Sequence, residues 1–332
     1  MGLGSLTDTR NLDLLMATTL DRYMPKFADA VSTNIPYLFF LLDRGMKKSY
    51  TGGSRLLFPI HGANNSTFES YAPYGELDVT PQDNQVASRW NWKNLSVSVT
   101  IDGPTLRKNA GSETKVIDIL STKIEGAEIA MREGISDQLF GTGDDDSNDL
   151  NGLQNILSTS TTTGTTGQLD RAVSTFWQHQ TRDVENDFSA NGRARMRSLY
   201  NDCLKGTQHV NLIVCTQAMS ENYETVITET ANVSDRFTVP SPFTSIKGDL
   251  GIHVLRFMGQ PLFFDDNVTS DVAYFINTNT VRWCVHGDAD FTNSPFIRAT
   301  NQDAKTAQIL TMANQVCTNL SRNGILVNGD TI

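Results

Sequence analysis

Ser54-Arg-Leu-Leu-Phe-Pro-Ile60 and Ala87-Ser-Arg-Trp-Asn-Trp-Lys-Asn-Leu-Ser-Val-Ser-Val-Thr-Ile101 read as two strand limbs, and the stretch that joins them decides the fold. In the returning limb Leu95, Val97, Val99 and Ile101 alternate with Ser96, Ser98 and Thr100, the period-2 mark of a half-buried strand. About 25 residues rich in Gly, Asn, Pro, Ser and Thr lie between the limbs, and connections that long within a compact domain are uncommon and usually functional. This one carries Phe68, Tyr71, Tyr74, Leu77 and Val79. Apolar side chains on an arm with no core of its own need another surface, which we expect another subunit to supply.

Ser112 to Phe140 then reads as one long amphipathic helix. Ser112 is a good N-cap, and Glu113 stands in the first turn, where the helix dipole favours an anion. Val116, Leu120, Ile124, Ala127, Met131, Ile135 and Leu139 recur at steps of three and four, a continuous apolar stripe. At 1.5 Å per residue, about 28 residues make a rod of roughly 42 Å. Gly126 and Gly134 weaken it slightly, and Gly141-Thr-Gly143 supplies the stop.

Outward from this pair the pattern is α+β. Asn11 to Val31 has helical spacing broken at Pro25, an N-terminal arm with short helices. Ser158 to Gly167 is nearly all Ser, Thr and Gly and reads as an exposed linker or loop. A second lobe begins near Arg171. Met196, Leu199, Tyr200 and Cys203 mark a helix face, His209 to Cys215 a strand, and Ala218 to Ile227 a further helix. Ile252 to Phe257 and Pro261 to Phe264 flank a hairpin turn at Met258-Gly-Gln260, and Tyr274 to Ile276 and Val281 to Val285 read as strands. Ala307 to Leu320 fits either period; its Thr and Val content favours a strand, one that could return to pair with Leu95 to Ile101.

Composition narrows the function. With 332 residues the chain buries a substantial core and divides into two lobes. A formal net charge of −10 repels nucleic acid as a whole, which disfavours a sequence-reading DNA binder. Cys203, Cys215, Cys284 and Cys317 are widely spaced, without a CxxC pair, and read as small buried residues in a reducing compartment. The start has no basic region followed by an apolar run, so nothing directs secretion. Ile35 to Leu42, the most apolar stretch, is far short of the roughly 20 residues that span a bilayer.

The search for chemistry returns little. Asp144 to Asp149 resembles a calcium loop in the spacing of Asp144, Asp146 and Asn148, but Asp149 stands where that loop needs Gly and Asn155 where it needs a bidentate Glu. A solvated loop is the plainer reading, and a cation site the alternative. His61, His179, His209, His253 and His286 form no spaced set, and no nucleophile elbow, P-loop or dinucleotide fingerprint is present. We expect no catalytic, cofactor or metal residues. For contacts between subunits the candidates are Arg55, Phe68, Tyr71, Tyr74, Leu77, Arg89, Trp90, Trp92 and Lys93 on the arm, and Glu113, Glu125, Glu128 and Glu133 on the helix. A neighbour's arm laid across that helix would pair these charges at its rim, each exposed pair contributing about 0–1 kcal/mol.

This succession resembles the major capsid proteins of tailed bacteriophages with the HK97-type fold. The stretches that carry the likeness are Thr122-Lys-Ile-Glu-Gly-Ala-Glu-Ile-Ala130, Leu153-Gln-Asn-Ile156, Met196-Arg-Ser-Leu-Tyr-Asn-Asp-Cys203, Asn211-Leu-Ile-Val-Cys-Thr-Gln217 and Phe257-Met-Gly-Gln-Pro-Leu-Phe-Phe-Asp-Asp266. The resemblance implies an N-terminal arm over 1–49, an E-loop hairpin over 50–94 and a P-domain over 95–165 with its spine helix at 112–140. An α/β A-domain over 166–296 and a return to the P-domain over 297–332 complete it. It further implies pentamers and hexamers closing into an icosahedral shell around double-stranded DNA, a portal at one vertex, a decoration protein, no membrane, and a virion assembled in the host cytoplasm.

Two departures matter. Some relatives stitch the shell through an E-loop lysine, yet no Lys lies between Lys48 and Lys93, so the expected shell is non-covalent. Met1 opens directly into the arm, which leads us to expect a separate scaffolding protein. An encapsulin-like compartment and, from another class, a cytoplasmic α/β enzyme with a cation site at Asp144 to Asp149 stay open as alternatives. A sugar-binding surface adhesin is weakened by the missing signal segment.

Overall fold

The computed structural model describes residues 36–43, 45–108, 119–185, 187–229, 255–268, 271–298 and 302–328. The helices expected within 11–31, the head of the long helix with Ser112 and Glu113, and the strand start at Ile252 lie outside them. In chain order the helices are α1 (Pro36–Asp43), α2 (Gly103–Lys108), α3 (Ile119–Phe140), α4 (Leu153–Ile156), α5 (Arg193–Cys203) and α6 (Gln217–Glu229). The strands are β1 (Lys47–Tyr50), β2 (Arg55–His61), β3 (Gln85–Asn91), β4 (Lys93–Asp102), β5 (Thr165–Thr166), β6 (Leu169–Asp170), β7 (Gln180–Asp183) and β8 (Leu212–Cys215). They continue with β9 (Leu255–Phe257), β10 (Gln260–Phe264), β11 (Val272–Ile276), β12 (Val281–His286), β13 (Thr292–Asn293), β14 (Ile297–Arg298), β15 (Ala304–Cys317) and β16 (Gly324–Val327). The chain divides into a unit of Met1–Ser32, Val97–Ala130 and Ser294–Gln308 and a larger one of Thr33–Ser96, Met131–Asn293 and Ile309–Ile332.

In the larger unit a six-stranded sheet runs in the order β7-β16-β11-β8-β10-β9. Its central strands are apolar on both sides, and alternate residues reach opposite faces. Leu262, Ala273 and Phe275 join Met196, Leu199, Met219 and Tyr223 of α5 and α6 in one core. Phe263 and Tyr274 point the other way, Phe263 stacking on Phe40 of α1 at 4.8 Å between ring centroids and Tyr274 lying 6.2 Å from Phe140 of α3. Residues read as the end of the N-terminal arm thus pack into this core: Tyr37, Leu38, Phe40 and Leu41 are buried. The Tyr37 backbone N–H donates to the Asp265 carboxylate at 3.1 Å, satisfying a helix-start donor. β16, at the far end of the segment read as a return to the P-domain, sits in this sheet between β7 and β11.

The same unit holds β1 parallel to β12, and β12 antiparallel to the second part of β15. The ambiguous segment at 307–320 is therefore a strand through Cys317, and β4 pairs with β15 as the sequence reading expected. The returning limb is two strands rather than one, interrupted at Trp92. The four cysteines are free and buried, and burial pushes each thiol up to about 12.

Among the described residues of the smaller unit, Asp303 joins α2 to β14. α2 is capped by Asp102, whose carboxylate accepts from the backbone N–H of Thr105 at 2.9 Å and its hydroxyl at 2.7 Å. Gly103 N–H donates to the Asp303 carbonyl at 2.6 Å, and a Cβ at Gly103 would collide with the Asp303 carboxylate. That carboxylate pairs with Arg107 and, at 3.6 Å, with Arg298. Lys123 of α3 donates to the Thr100 carbonyl at 2.9 Å, and the Thr100 and Thr306 hydroxyls meet at 3.2 Å. No helix among the described residues is long and apolar enough to cross a membrane.

Candidate assembly surface

β2 and β3 pair antiparallel from Arg55 opposite Asn91 to His61 opposite Gln85. Alternation does the sorting: Leu56, Phe58 and Ile60 turn inward with Ser88 and Trp90, while Arg55, Leu57 and Arg89 face outward. The root of this hairpin is anchored on the stretch read as an exposed linker. Arg89 N–H donates to the Gly167 carbonyl at 2.9 Å, and the Trp90 ring lies 3.0 Å from where a Gly167 Cβ would be. Gly167 has φ of +59°, so both its backbone conformation and the indole exclude a side chain. Thr165–Thr166 pairs with Leu169–Asp170, and Thr166 and Gly167 are buried. Only the earlier part of the Ser158 to Gly167 run is the exposed loop its composition suggests; its end is built into the arm's foundation.

Beyond Gly62 and Asn84, joined by an N–H to carbonyl bond of 2.9 Å, the arm has no strands or helices. Polar side chains hold it. Asn65 accepts from Thr67, Asp78 accepts from the N–H and hydroxyl of Thr80, Glu69 accepts from Asp78 N–H at 2.9 Å, and the Ser66 hydroxyl donates to Gln82 at 3.0 Å. The Thr80 bonds hold the Asp78 carboxyl below the usual carboxylate range. At the turn Ala72 to Gly75, Tyr74 adopts φ of +73°. With the polar groups spent on one another, the apolar ones face outward: Phe68 is 91% exposed, Tyr74 106% and Val79 87%, with Tyr71 and Leu77 also exposed. None of these five side chains finds a core within the chain.

Two of the arm's candidate contact residues belong to the interior instead. Trp90 is fully buried against Gly167, and its indole N–H donates to the Ser88 hydroxyl at 3.3 Å. Lys93 is 4% exposed, its ammonium donating to the carbonyls of Asp144 at 2.7 Å, Asp145 at 3.1 Å and Ser147. The calcium-like loop therefore folds around the chain's own cation. Desolvation pulls the Lys93 pKa down, opposed by Asp145, Asp144, Asp146 and Asp149. Asp145 is held up by burial and accepts from Asn151 at 2.9 Å. Among the described residues no three His, Cys, Asp or Glu side chains converge as metal ligands. Trp92 is half-buried, its indole N–H bonded to the Gly53 carbonyl at 3.0 Å and its ring edge-on to His286.

On α3, Ala127, Met131, Ile135 and Leu139 are buried, as the stripe requires, and Glu125 and Glu128 are exposed with Glu133 partly so. Glu113 lies outside the described residues. Exposed Val173, in the segment that packs on the arm's root, escaped the sequence reading because an isolated Val in a polar loop carries no periodic signal.

No protein-family model matches the chain, and no curated protein matches it in sequence. Its structure is similar to solved ones over nearly its whole length. A chain of the cyanophage A-1(L) capsid asymmetric unit is 14% identical with a TM-score of 0.69, over 99% of this chain and 100% of that one. The capsid of a native GTA particle is 11% identical with a TM-score of 0.58, over 99% and 100%. The holo-SrpI encapsulin complex from Synechococcus elongatus PCC 7942 is 10% identical with a TM-score of 0.57, over 99% and 97%. The likeness is one of fold: the chain has the α+β HK97-type capsid architecture.

Proposed function

We propose that this chain is the major capsid protein of a tailed bacteriophage, assembling with copies of itself into pentamers and hexamers that close a non-covalent shell around double-stranded DNA. The observation that carries the reading is an arm whose root is locked into its own subunit and whose apolar tip is exposed. Closure requires one surface of a subunit to meet a different surface on the next. The arm tip is one; α3, with its acidic outer side, is our candidate for the other.

Magnitudes favour a multivalent shell over a simple dimer. Burying five such side chains contributes on the order of 10 kcal/mol at roughly 1.5–3 kcal/mol each. Association costs about 4–15 kcal/mol. One arm contact is therefore near break-even, and repetition around closed rings makes the assembly stable. A scaffolding protein, a portal and a decoration protein belong to the same reading.

The test exploits the bond between Gly62 and Asn84. Replacing Ala63 to Asp83 by Asn-Gly closes the hairpin with a two-residue turn. The expected product keeps the parent's circular dichroism but forms no shells in negative-stain electron microscopy. Shells from the shortened chain would overturn the proposal, and global unfolding would make the tip part of the core. The encapsulin neighbour supports a second reading, a compartment enclosing enzymes; DNA or a protein cargo inside purified particles separates the two.

A further inference from the structure

Away from the arm, the larger unit contains an open pocket of about 570 Å³ between the start of β12 and the end of β15. That volume falls in the roughly 300–1,000 Å³ range of small-molecule clefts. Lys48, Arg282 and Arg322 line it, the remaining lining is Thr, Asn, Gln and Gly, and no carboxylate takes part. In a chain with ten more acidic than basic residues this concentration of positive charge is unexpected on average composition.

The convergence is built by the fold. Lys48 of β1 stands opposite Cys284 of β12, and Arg282 is two residues before Cys284, so both project from one face of the sheet. Arg322 arrives from the opposite side, on the short turn Leu320–Arg322 that follows β15. Thr318 donates to the Thr280 carbonyl through its N–H at 2.8 Å and its hydroxyl at 3.1 Å. Asn323 donates to the Thr280 hydroxyl at 3.0 Å and to the Asn319 carbonyl at 2.8 Å, fixing the turn that carries Arg322. Among the described residues no ion pair or hydrogen bond engages the side chains of Lys48, Arg282 or Arg322, and Arg322 Nε is buried without an acceptor. Buried donors without partners are rare because they are costly, and three cations facing one cavity repel unless an anion lies between them.

We propose that this pocket binds a phosphate-type oxyanion. Two guanidinium forks match the spacing of phosphate oxygens, the lysine supplies a third charge, and the surrounding hydroxyl and amide groups complete a polar shell. The ligand chemistry is shared by free phosphate compounds and by the phosphodiester backbone of a nucleic acid.

The experiment uses the full chain purified in phosphate-free buffer. Sodium phosphate is titrated against sodium chloride of equal ionic strength and followed by calorimetry and thermal unfolding. Phosphate should bind saturably and raise the melting temperature where chloride does not. Arg282→Gln and Arg322→Gln should each weaken binding at least about tenfold. Lys48 is exposed at the sheet edge, so Lys48→Gln keeps the fold and should also weaken binding, which covers the case in which an arginine variant fails to fold. A short DNA duplex added in a second arm distinguishes the sources: competition with phosphate assigns the backbone, and independent binding of phosphate assigns a free compound. Equal responses to phosphate and chloride, or undiminished phosphate binding in a folded Lys48→Gln, Arg282→Gln double variant, would overturn the proposal.

Discussion

Lys93→Met separates a residue that holds one subunit together from one that joins two. Methionine keeps most of the stem and removes the ammonium, and with it the bonds to the carbonyls of Asp144, Asp145 and Ser147. At about 1.5–3 kcal/mol per hydrogen bond to a charged group, simple addition overstates the loss. Asp144 O keeps the Ser147 hydroxyl at 3.0 Å, and Asp145 O keeps the Asn91 amide at 2.9 Å, so only Ser147 O is stranded. Relief of the lysine's desolvation offsets part of the rest. We expect a loss of about 3 kcal/mol, roughly a hundredfold in the unfolding equilibrium. Urea denaturation of the unassembled chain measures it, and hydrogen exchange should quicken at 85–95 and 141–151, the two segments the ammonium ties together. A loss below about 1 kcal/mol, the value of an exposed pair, together with failed assembly would refute the reasoning and return Lys93 to the subunit interface.

Two buried groups set opposing pH dependences. Burial pushes the Asp265 carboxyl up to about 7, so its contribution is complete at low pH and is lost as pH rises from about 4 to about 7. Burial, with Arg171 adding to it, takes His179 down to about 4. Its Nε2–H faces the Ser158 carbonyl at 2.6 Å and its Nδ1 accepts from Arg171 at 3.4 Å, so the neutral ring is the folded form and its contribution is lost as pH falls from about 6.5 to about 4. Unfolding free energy should therefore rise with pH in that window for Asp265→Asn and fall for His179→Gln, by a few kcal/mol in each case, with the melting temperature following; wild-type profiles from both would sink the assignment. Trp90→Ala should cost about 3–5 kcal/mol of unfolding free energy, measured by denaturant titration, and loosen the arm's root, since the indole fills the space over Gly167; a near-neutral change would place that ring outside the core. Particles boiled in SDS should run as single chains, because the arm offers no lysine for a covalent bond, and a ladder of cross-linked species would contradict this.

Period and composition carried the reading a long way. The alternation at Leu95 to Ile101 and the stripe from Ala127 to Leu139 state which face is buried, because burial repeats with the geometry of the element, and the wholly apolar runs at Leu212 to Cys215 and Val272 to Ile276 state that both are. The arm's outward tip was legible too: its apolar residues have no period and no neighbours in sequence to pack on. What only the tertiary structure decided was the partner of each singular residue. Lys93 and Trp90 look like any basic and aromatic residue on a strand, and their burial depends on Asp144 to Ser147 and on Gly167, far along the chain. Lys48, Arg282 and Arg322 are likewise dispersed in sequence and meet only because β1 pairs with β12 and the turn after β15 folds back beside them. Local patterns fix which surface an element hides; long-range closure alone fixes what it hides against.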